Sequence, residues 1–264
     1  MTGPRVTAAG VLALALVSCA SCGGESPGAP SPSTTTTTVA GTPSARVLVV
    51  THTEGFRHDS IPTIETGIRD LGTANALYFT DFCRTADDVR QMLTRQNLAS
   101  YRAVVFANTT GNLPIPDLAA FLSWIAGGGG FVGIHSASDT YHDQPSYLAM
   151  LGGEFVTHGA IVEAEIRVDD PSHPAVSHLG ATFRIADEFY RFRFAGPDRR
   201  TLISLARDPN DGGPAPAAGG DPLAWHRTFS SGRVFYTALG HRSELWQDAR
   251  YRRHIVEGIR WVLP

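Results

Sequence analysis

Lysine is absent from this 264-residue chain, so all 22 of its lysine-or-arginine positions are arginines. A chain without lysine cannot form a lysine Schiff base with a carbonyl substrate or hold pyridoxal phosphate through one. It also cannot build a nucleotide-binding P-loop, in which a lysine contacts the phosphates. These enzyme classes are therefore excluded.

Cysteine is scarce as well. The chain has three cysteines, of which two lie near the N-terminus and only Cys83 lies in the part predicted to fold. A single cysteine cannot supply a disulfide framework, a cysteine-rich zinc site or an iron–sulfur cluster. Cys83 is most simply a core residue.

Positive charge is not concentrated anywhere along the chain. The formal net charge is -3, and the arginines form no stripe or cluster. Nucleic-acid binding proteins carry such a basic patch, so we expect no nucleic-acid partner. The sequence carries no signal for an oligomeric state.

The N-terminus contains an apolar run, 11–17, that is too short to span a bilayer but has the length typical of a signal peptide. The run closes on Leu16-Val17-Ser18-Cys19, which resembles the lipobox of bacterial lipoproteins. We therefore predict a signal peptide over 1–18 and lipidation of Cys19. The protein would be exported and anchored to the membrane, facing the periplasm or the cell surface. The alternative is an ordinary signal peptide cleaved nearby.

Residues 19–45 are rich in proline, serine and threonine and include the threonine run 34–38. This composition cannot bury a core, so it predicts a disordered, lipid-anchored stalk. The folded domain is expected to cover 46–264.

Apolar strand patterns and amphipathic helix patterns alternate along the first half of this domain. The predicted strands are 46–52, 76–80, 101–108 and 130–135, and the predicted helices run from 59 to 71, from 85 to 96 and from 116 to the glycine run. Such alternation favours right-handed crossovers and a parallel sheet between two helical layers, a flavodoxin-like α/β pattern. The second half predicts four more strands, some of them antiparallel additions, and a closing helix over 248–262.

Histidines follow three of the predicted strands. His58 comes just before the first helix, His135 ends the strand that follows the glycine run 127–130, and His241 follows the strand that ends near Leu239. Because the carboxyl ends of parallel strands meet at one edge of a sheet, we expect these imidazoles to face a common crevice. An imidazole there can act as a general base, a general acid or a metal ligand.

Two adjacent carboxylates, Asp187 and Glu188, precede an aromatic pair in the second half of the chain. A partly desolvated carboxylate is suited to proton transfer, so both are candidate catalytic residues. The alternative is a structural ion pair with Arg191 or Arg193.

We expect Asp139 to orient His135 by accepting its second ring N–H. The candidate substrate-binding residues are Phe56, Arg57, Asp139, His158, Tyr190 and Trp246.

Taken together, the segments 55–61, 129–137, 152–155, 173–174, 187–190 and 232–241 resemble, in order, the ThuA-like (trehalose utilisation) family of the class I glutamine amidotransferase-like superfamily. The resemblance covers about 46–264. It implies one flavodoxin-like α/β domain, a three-layer sandwich with a mostly parallel sheet and added antiparallel strands. It also implies a role in sugar metabolism that involves disaccharides or oxidised (3-keto) glycosides.

The resemblance includes one informative departure. The nucleophilic cysteine of the amidotransferases aligns with His135, so we expect no glutaminase activity. Ser136 is a substitute nucleophile only if a base and an orienting group lie in the required geometry.

These features lead us to expect an enzyme, a hydrolase, lyase or isomerase, that acts on a carbohydrate through His58, His135, His241 and one of the two carboxylates. Two mechanisms stay open. In the first, the side chains act without a metal as acid and base. In the second, histidines and a carboxylate hold a divalent metal, the one cofactor that the sequence suggests, which polarises a sugar carbonyl or activates water; the candidate histidine ligands are His58, His135 and His241.

The competing hypothesis is a surface-tethered carbohydrate-binding lipoprotein without turnover. In that case aromatic side chains would stack on sugar faces. The aromatic candidates are Phe56, Tyr141, Phe189, Tyr190, Trp225 and Trp246.

Overall fold

The computed structural model describes residues 45–195, 198–207 and 220–264, together with Pro43 and Pro209. The predicted signal peptide, the lipidation site Cys19 and nearly all of the predicted stalk lie outside these residues. Among the described residues, no helix has the length and apolar character needed to cross a bilayer.

Strands and helices alternate over the first part of the described chain and strands dominate the second. The strands are β1 (Ala45–Val50), β2 (Tyr78–Cys83), β3 (Ala103–Ala107), β4 (Gly130–Ile134), β5 (Gly153–His158), β6 (Val162–Val168), β7 (Thr182–Asp187), β8 (Tyr190–Phe194), β9 (Arg200–Leu205), β10 (Pro222–Phe229) and β11 (Gly232–Thr237). The α-helices are α1 (Ile61–Ala74), α2 (Ala86–Met92), α3 (Arg95–Leu98), α4 (Leu118–Ala126), α5 (Pro145–Leu151) and α6 (Ala249–Val262). Short 3-10 helices cover His135–Asp139 and Ser243–Gln247.

A nine-stranded sheet with the order β2-β1-β3-β4-β11-β10-β9-β6-β7 forms the centre of the domain. The first five strands in this order are parallel, and the remaining four are added antiparallel. Helices α1 and α6 pack on each other, and α3, α4 and α5 form a second group. The predicted α/β sandwich with a mostly parallel sheet and antiparallel additions is confirmed.

The central strands β1, β3 and β4 are apolar, as strands covered on both faces must be. The inner part of β1 and all of β3 and β4 are buried. A strand covered by helices on both faces reads as a continuous apolar run, which is why the first-half strands were recognisable in the sequence.

Several predicted boundaries were wrong for local reasons. Strand β2 starts two residues later than predicted because Ala76 adopts a left-handed turn conformation with φ +48°. The helix predicted over 85–96 is divided, since the Thr94 side chain caps a second helix by accepting from the Asn97 N–H. The strand before His135 ends one residue early, because that residue has φ +49° and begins a 3-10 helix.

Strands β5, β7 and β8 and helix α5 were not predicted. Strands β5 and β8 pair with each other in a separate antiparallel ribbon.

The antiparallel half of the sheet curls back towards the parallel half. Strand β7 is the fourth strand beyond β11, so a flat sheet would place the two about 19 Å apart. Instead, Gly240, just after β11, donates its N–H to Asp187 Oδ2 at the end of β7, at 2.8 Å. The irregular pairing of β10 with β9 interrupts the register within this half, and such bulges bend a sheet. The edge strand thereby contributes residues to the central strand ends.

Trp246 packs between helix α1 and Tyr251 of helix α6. It is 5% exposed, and its ring lies edge-on to Tyr251, with centroids 5.3 Å apart. A Cβ atom built on Gly67 of α1 would lie 2.1 Å from this indole ring. Glycine at position 67 is therefore required by the close approach of an aromatic ring.

We expect Gly67→Ala to lower the free energy of unfolding by about 2 kcal/mol, although alanine has the higher helix propensity, because the methyl group overpacks the indole. Thr66→Ala, at the exposed neighbouring position, is the matched control and should stay within about 0.5 kcal/mol of wild type. Chemical denaturation measures both. A Gly67→Ala protein as stable as wild type would contradict the contact.

His254 makes the fold sensitive to acid. Burial lowers the pKa of this histidine from 6.5 to about 4, while its Nδ1 lies 2.9 Å from the Ala175 carbonyl. Between those pH values the unfolded chain binds a proton that the folded chain does not. The free energy of unfolding should therefore decrease as pH falls, by up to about 1.4 kcal/mol per pH unit. His254→Gln keeps an N–H donor but no titration, so denaturation at several pH values should give a shallower slope. An unchanged slope contradicts this assignment.

Candidate functional site

A cavity of about 300 Å³ opens at the carboxyl ends of the parallel strands. The loops after β1, β4 and β11 supply imidazoles to this region, the β7–β8 connection supplies a carboxylate, and β5 supplies one wall. The lining residues are Phe56, His58, Asp139, Phe155, His158, Glu188, Tyr190 and His241. The expected common crevice is therefore present, and most of the predicted site residues line it.

His135 lies directly beneath the cavity and is fully buried. Its Nδ1 lies 2.7 Å from the Ala238 carbonyl, which can only accept, so this nitrogen carries the proton. The other ring nitrogen, Nε2, faces the site and lies 2.8 Å from the Tyr190 hydroxyl. The Tyr236 hydroxyl donates to the His135 carbonyl at 2.7 Å and so helps to hold the left-handed backbone there.

The three predicted histidines form a compact triangle. The ring centroids of His58 and His135 are 4.9 Å apart, and each lies 5.2 Å from the His241 ring. One nitrogen from each ring falls within 4.8 Å of the other two. Among the described residues, these three side chains are the group that can hold a metal ion.

Glu188 connects this triangle to the cavity rim. Its Oε1 lies 2.9 Å from His158 Nδ1, and its Oε2 lies 3.3 Å from His241 Nδ1 and 3.6 Å from His135 Nε2. The predicted ion pair of this carboxylate with a neighbouring arginine is not what the structure shows, because its contacts are with imidazoles.

Burial and charge give the imidazoles different protonation behaviour. Burial, together with the nearby His241, lowers the pKa of His58 to about 4. Burial also holds the pKa of His135 well below 6.5. The hydrogen bond to Glu188 raises the pKa of His241. At neutral pH the site therefore presents two uncharged imidazoles beside a third that retains a proton more readily.

Asp187 lies behind the cavity wall and does not line it. It is fully buried, and burial raises its pKa to about 7. Its Oδ2 accepts the Gly240 N–H. We therefore assign this predicted catalytic residue a positioning role, since it fixes the loop that carries His241.

Asn108, at the end of β3, was missed in the sequence. It adopts φ +54°, and its amide donates to the Ser60 hydroxyl at 3.1 Å and to the Gly240 carbonyl at 3.2 Å. One side chain thus joins the loops that follow β1 and β11. In the sequence, the only indication of this role is that a polar residue ends an otherwise apolar strand pattern.

Aromatic side chains form the remaining walls. Phe155, which was not predicted, lies 4.3 Å from the Tyr190 ring, centroid to centroid, and Phe56 stands 67% exposed at the entrance. Of the other proposed sugar-stacking residues, Tyr141, Phe189 and Trp225 are buried in the core. Phe155 and His158 both line the cavity although they are three residues apart on β5, because the pairing of β5 with β8 is irregular between Phe155 and Thr157.

Two predicted roles are wrong, and a third candidate lies outside the cavity wall. Asp139 does not orient His135; it lines the cavity and pairs with His142 at 2.6 Å, while the Ala238 carbonyl takes the His135 N–H. Arg57 is not among the wall residues, and its guanidinium donates to the Thr51 carbonyl at 3.1 Å. Trp246 is a core residue that packs against α1.

Ser136 is fully buried under the cavity, and its hydroxyl lies 3.5 Å from His58 Nδ1. Because the hydroxyl is fully enclosed, it has no access to a ligand in the cavity.

Solved structures share this fold. A ThuA-like protein from Parabacteroides merdae has a TM-score of 0.69 at 19% identity, covering 83% of this chain and 89% of that chain. A ThuA-like protein from Bacteroides uniformis has a TM-score of 0.68 at 24% identity, covering 84% and 92%. A cytoplasmic protein from Salmonella typhimurium has a TM-score of 0.60 at 14% identity, covering 83% and 100%.

No curated protein matches the chain in sequence. The sequence model of the family described as "Trehalose utilisation" matches residues 46–262, which is nearly the whole of the expected domain. The chain therefore belongs to the ThuA (trehalose utilisation) family.

Proposed function

We propose that this ThuA-family protein is an enzyme that processes a sugar or an oxidised (3-keto) glycoside in the cavity above His135. One observation carries the proposal: Glu188 lies on the cavity wall in contact with His158, His241 and His135 at once. A carboxylate surrounded by imidazoles of unequal pKa is suited to moving a proton.

The walls of the cavity favour a neutral, polar ring as substrate. Phe56, Phe155 and Tyr190 offer apolar ring faces, while Asp139, Glu188 and the histidines offer hydrogen bonds. A sugar has both characters, with C–H faces that pack on aromatic rings and hydroxyl groups at its edge. A cavity of about 300 Å³ is at the lower end of the size range of small-molecule sites. The family description points to the same class of substrate.

A keto sugar gives the proton-transfer groups a defined task. The carbon next to a carbonyl is acidic, so removal of its proton initiates elimination of a glycosidic substituent or isomerisation. Glu188 would take the proton, and His241, whose pKa is raised by its hydrogen bond to Glu188, would donate a hydrogen bond to the carbonyl oxygen. Glutamine hydrolysis is not expected, since the residue at the turn after β4 is an imidazole rather than a thiol.

The second candidate function is carbohydrate binding without turnover. It is favoured by the exposed Phe56 ring at the entrance and by the Phe155–Tyr190 pair, which are typical of a sugar-stacking surface.

Glu188→Gln should lower turnover by about 100-fold or more, because the amide cannot accept a proton while its shape is retained. Trehalose and its 3-keto derivative are the substrates to test, with product analysis as the measurement. Glu154→Gln is the matched control. That glutamate pairs with His142 and Arg193 outside the cavity lining, so its variant should keep near wild-type turnover.

Isothermal titration with the same two sugars separates the two functions. Binding of a sugar that is recovered unchanged from wild-type protein would contradict the enzyme and support the binding function. Equal turnover by wild type and Glu188→Gln would contradict the assignment of this carboxylate.

We also propose that the protein is exported and anchored to the membrane through a lipid on Cys19, with the domain facing the extracytoplasmic side, where the carbohydrate partner would be met. The lipobox-like Leu16-Val17-Ser18-Cys19 and the polar segment after it support this location.

In a bacterial host, wild-type protein should incorporate labelled palmitate and sediment with membranes, whereas Cys19→Ala should remain unlabelled. Cys22→Ala is the matched control and should be labelled like wild type. Labelling that persists in Cys19→Ala, or its absence from wild type, would contradict the anchor.

A further inference from the structure

We propose that His135 Nε2, His241 Nδ1 and Glu188 Oε2, completed by His58, form a binding site for one divalent transition-metal ion. The site lies in the cavity of the proposed function, and the inference deepens and rests on that function by naming the cofactor.

The first argument is the spacing of the candidate ligand atoms. His135 Nε2 and His241 Nδ1 are 3.2 Å apart, and Glu188 Oε2 lies 3.3 Å from the latter and 3.6 Å from the former. Metal–ligand bonds of about 2.0–2.1 Å in tetrahedral geometry place neighbouring ligand atoms about 3.3 Å apart. The three atoms therefore already have the separations of one face of a coordination polyhedron.

The second argument is the count of protons. His135 donates its Nδ1–H to the Ala238 carbonyl, so its Nε2 has a lone pair and no proton. The Tyr190 hydroxyl at 2.8 Å and His241 Nδ1 at 3.2 Å both approach this lone pair. Glu188 Oε2, another acceptor, approaches the same His241 nitrogen. The Tyr190 hydroxyl can serve the lone pair of His135, and the His241 proton can serve Glu188. One cation would replace these two protons and bind all three ligand atoms.

The third argument is the support around the ligands. A metal-bound histidine usually donates its other N–H to a carbonyl or carboxylate, as His135 does to Ala238. A ligating carboxylate usually has a partner for its second oxygen, and Glu188 Oε1 lies 2.9 Å from His158 Nδ1. Such contacts fix the orientation and tautomer of the ligands before a metal arrives.

The fourth argument concerns His58. One of its ring nitrogens lies within 4.8 Å of the ligand atoms of His135 and His241, and the hydroxyl of Ser136 is 3.5 Å from its Nδ1. A further imidazole nitrogen therefore lies next to the other two histidine ligands. Its burial also favours an uncharged imidazole, the form that binds metals.

The donor set decides the class of metal. Imidazole nitrogen with a single carboxylate suits zinc, iron(II) and their first-row neighbours, while calcium and magnesium prefer oxygen ligands. The ligand atoms lie at the cavity floor, so a further coordination position would face the bound sugar, as in catalytic rather than structural sites. Glu188 would bind the metal through Oε2 alone, so that its Oε1 would remain to take the proton from the sugar.

The test uses the full chain, purified with a tag that contains no histidine, treated with a chelator and dialysed. Zinc is added and its bound amount measured by elemental analysis and titration calorimetry, and cobalt is added for its visible absorption. We expect one zinc per chain and a cobalt spectrum typical of low coordination number. His241→Gln and His58→Gln should each weaken zinc binding by about 100-fold or more.

His142→Gln is the matched control, because this imidazole also contacts two carboxylates, Asp139 and Glu154, but lies outside the proposed ligand set. It should bind zinc like wild type. Circular dichroism confirms that each variant is folded. Wild-type protein that binds no more zinc than His241→Gln, or a control that loses binding equally, overturns the site.

Turnover is scored separately from binding. A protein that binds zinc through these side chains and converts neither sugar supports the metal site and contradicts the proposed function. A protein that converts a sugar but binds no zinc or cobalt overturns the metal site and leaves the proposed function intact.

Discussion

The backbone of Gly240 holds the candidate site together. Its N–H binds the Asp187 carboxylate, and its carbonyl accepts from Asn108 and Ser60. These contacts join the curled edge of the sheet to the ends of β1, β3 and β11. A side chain at position 240 would collide with Ile134 and the Tyr251 hydroxyl, and the backbone has φ +132°. Only glycine fits this junction, and His241 takes its position from it.

Three polar side chains are buried around Gly240. Asp187, Asn108 and His135 are fully enclosed, and their hydrogen bonds to backbone compensate part of the cost of desolvation. The same burial keeps His135 uncharged and raises the pKa of Asp187 to about 7. The interactions that fix the strand-end loops therefore also set the protonation states available to the site.

The sequence predicted those features of the site that depend on the residues of one strand and the loop after it. The central strands followed from their apolar runs, and the convergence of His58, His135 and His241 followed from the rule that parallel strands end at one edge. The pairing of Asp139 with His142 and the packing of Trp246 on α1 depend on where neighbouring loops fall. The approach of β7 depends on the curl of the sheet, which no local pattern specifies.

The walls of the cavity belong to two separate hydrogen-bonded sheets. The buried imidazoles follow strands of the main sheet, whereas Phe155, His158 and Tyr190 lie on the β5–β8 ribbon. Substitutions on the ribbon leave the ladder of the main sheet unchanged. The ribbon wall of the cavity can therefore change in shape and polarity while the loops that position His58, His135 and His241 keep their place in the main sheet.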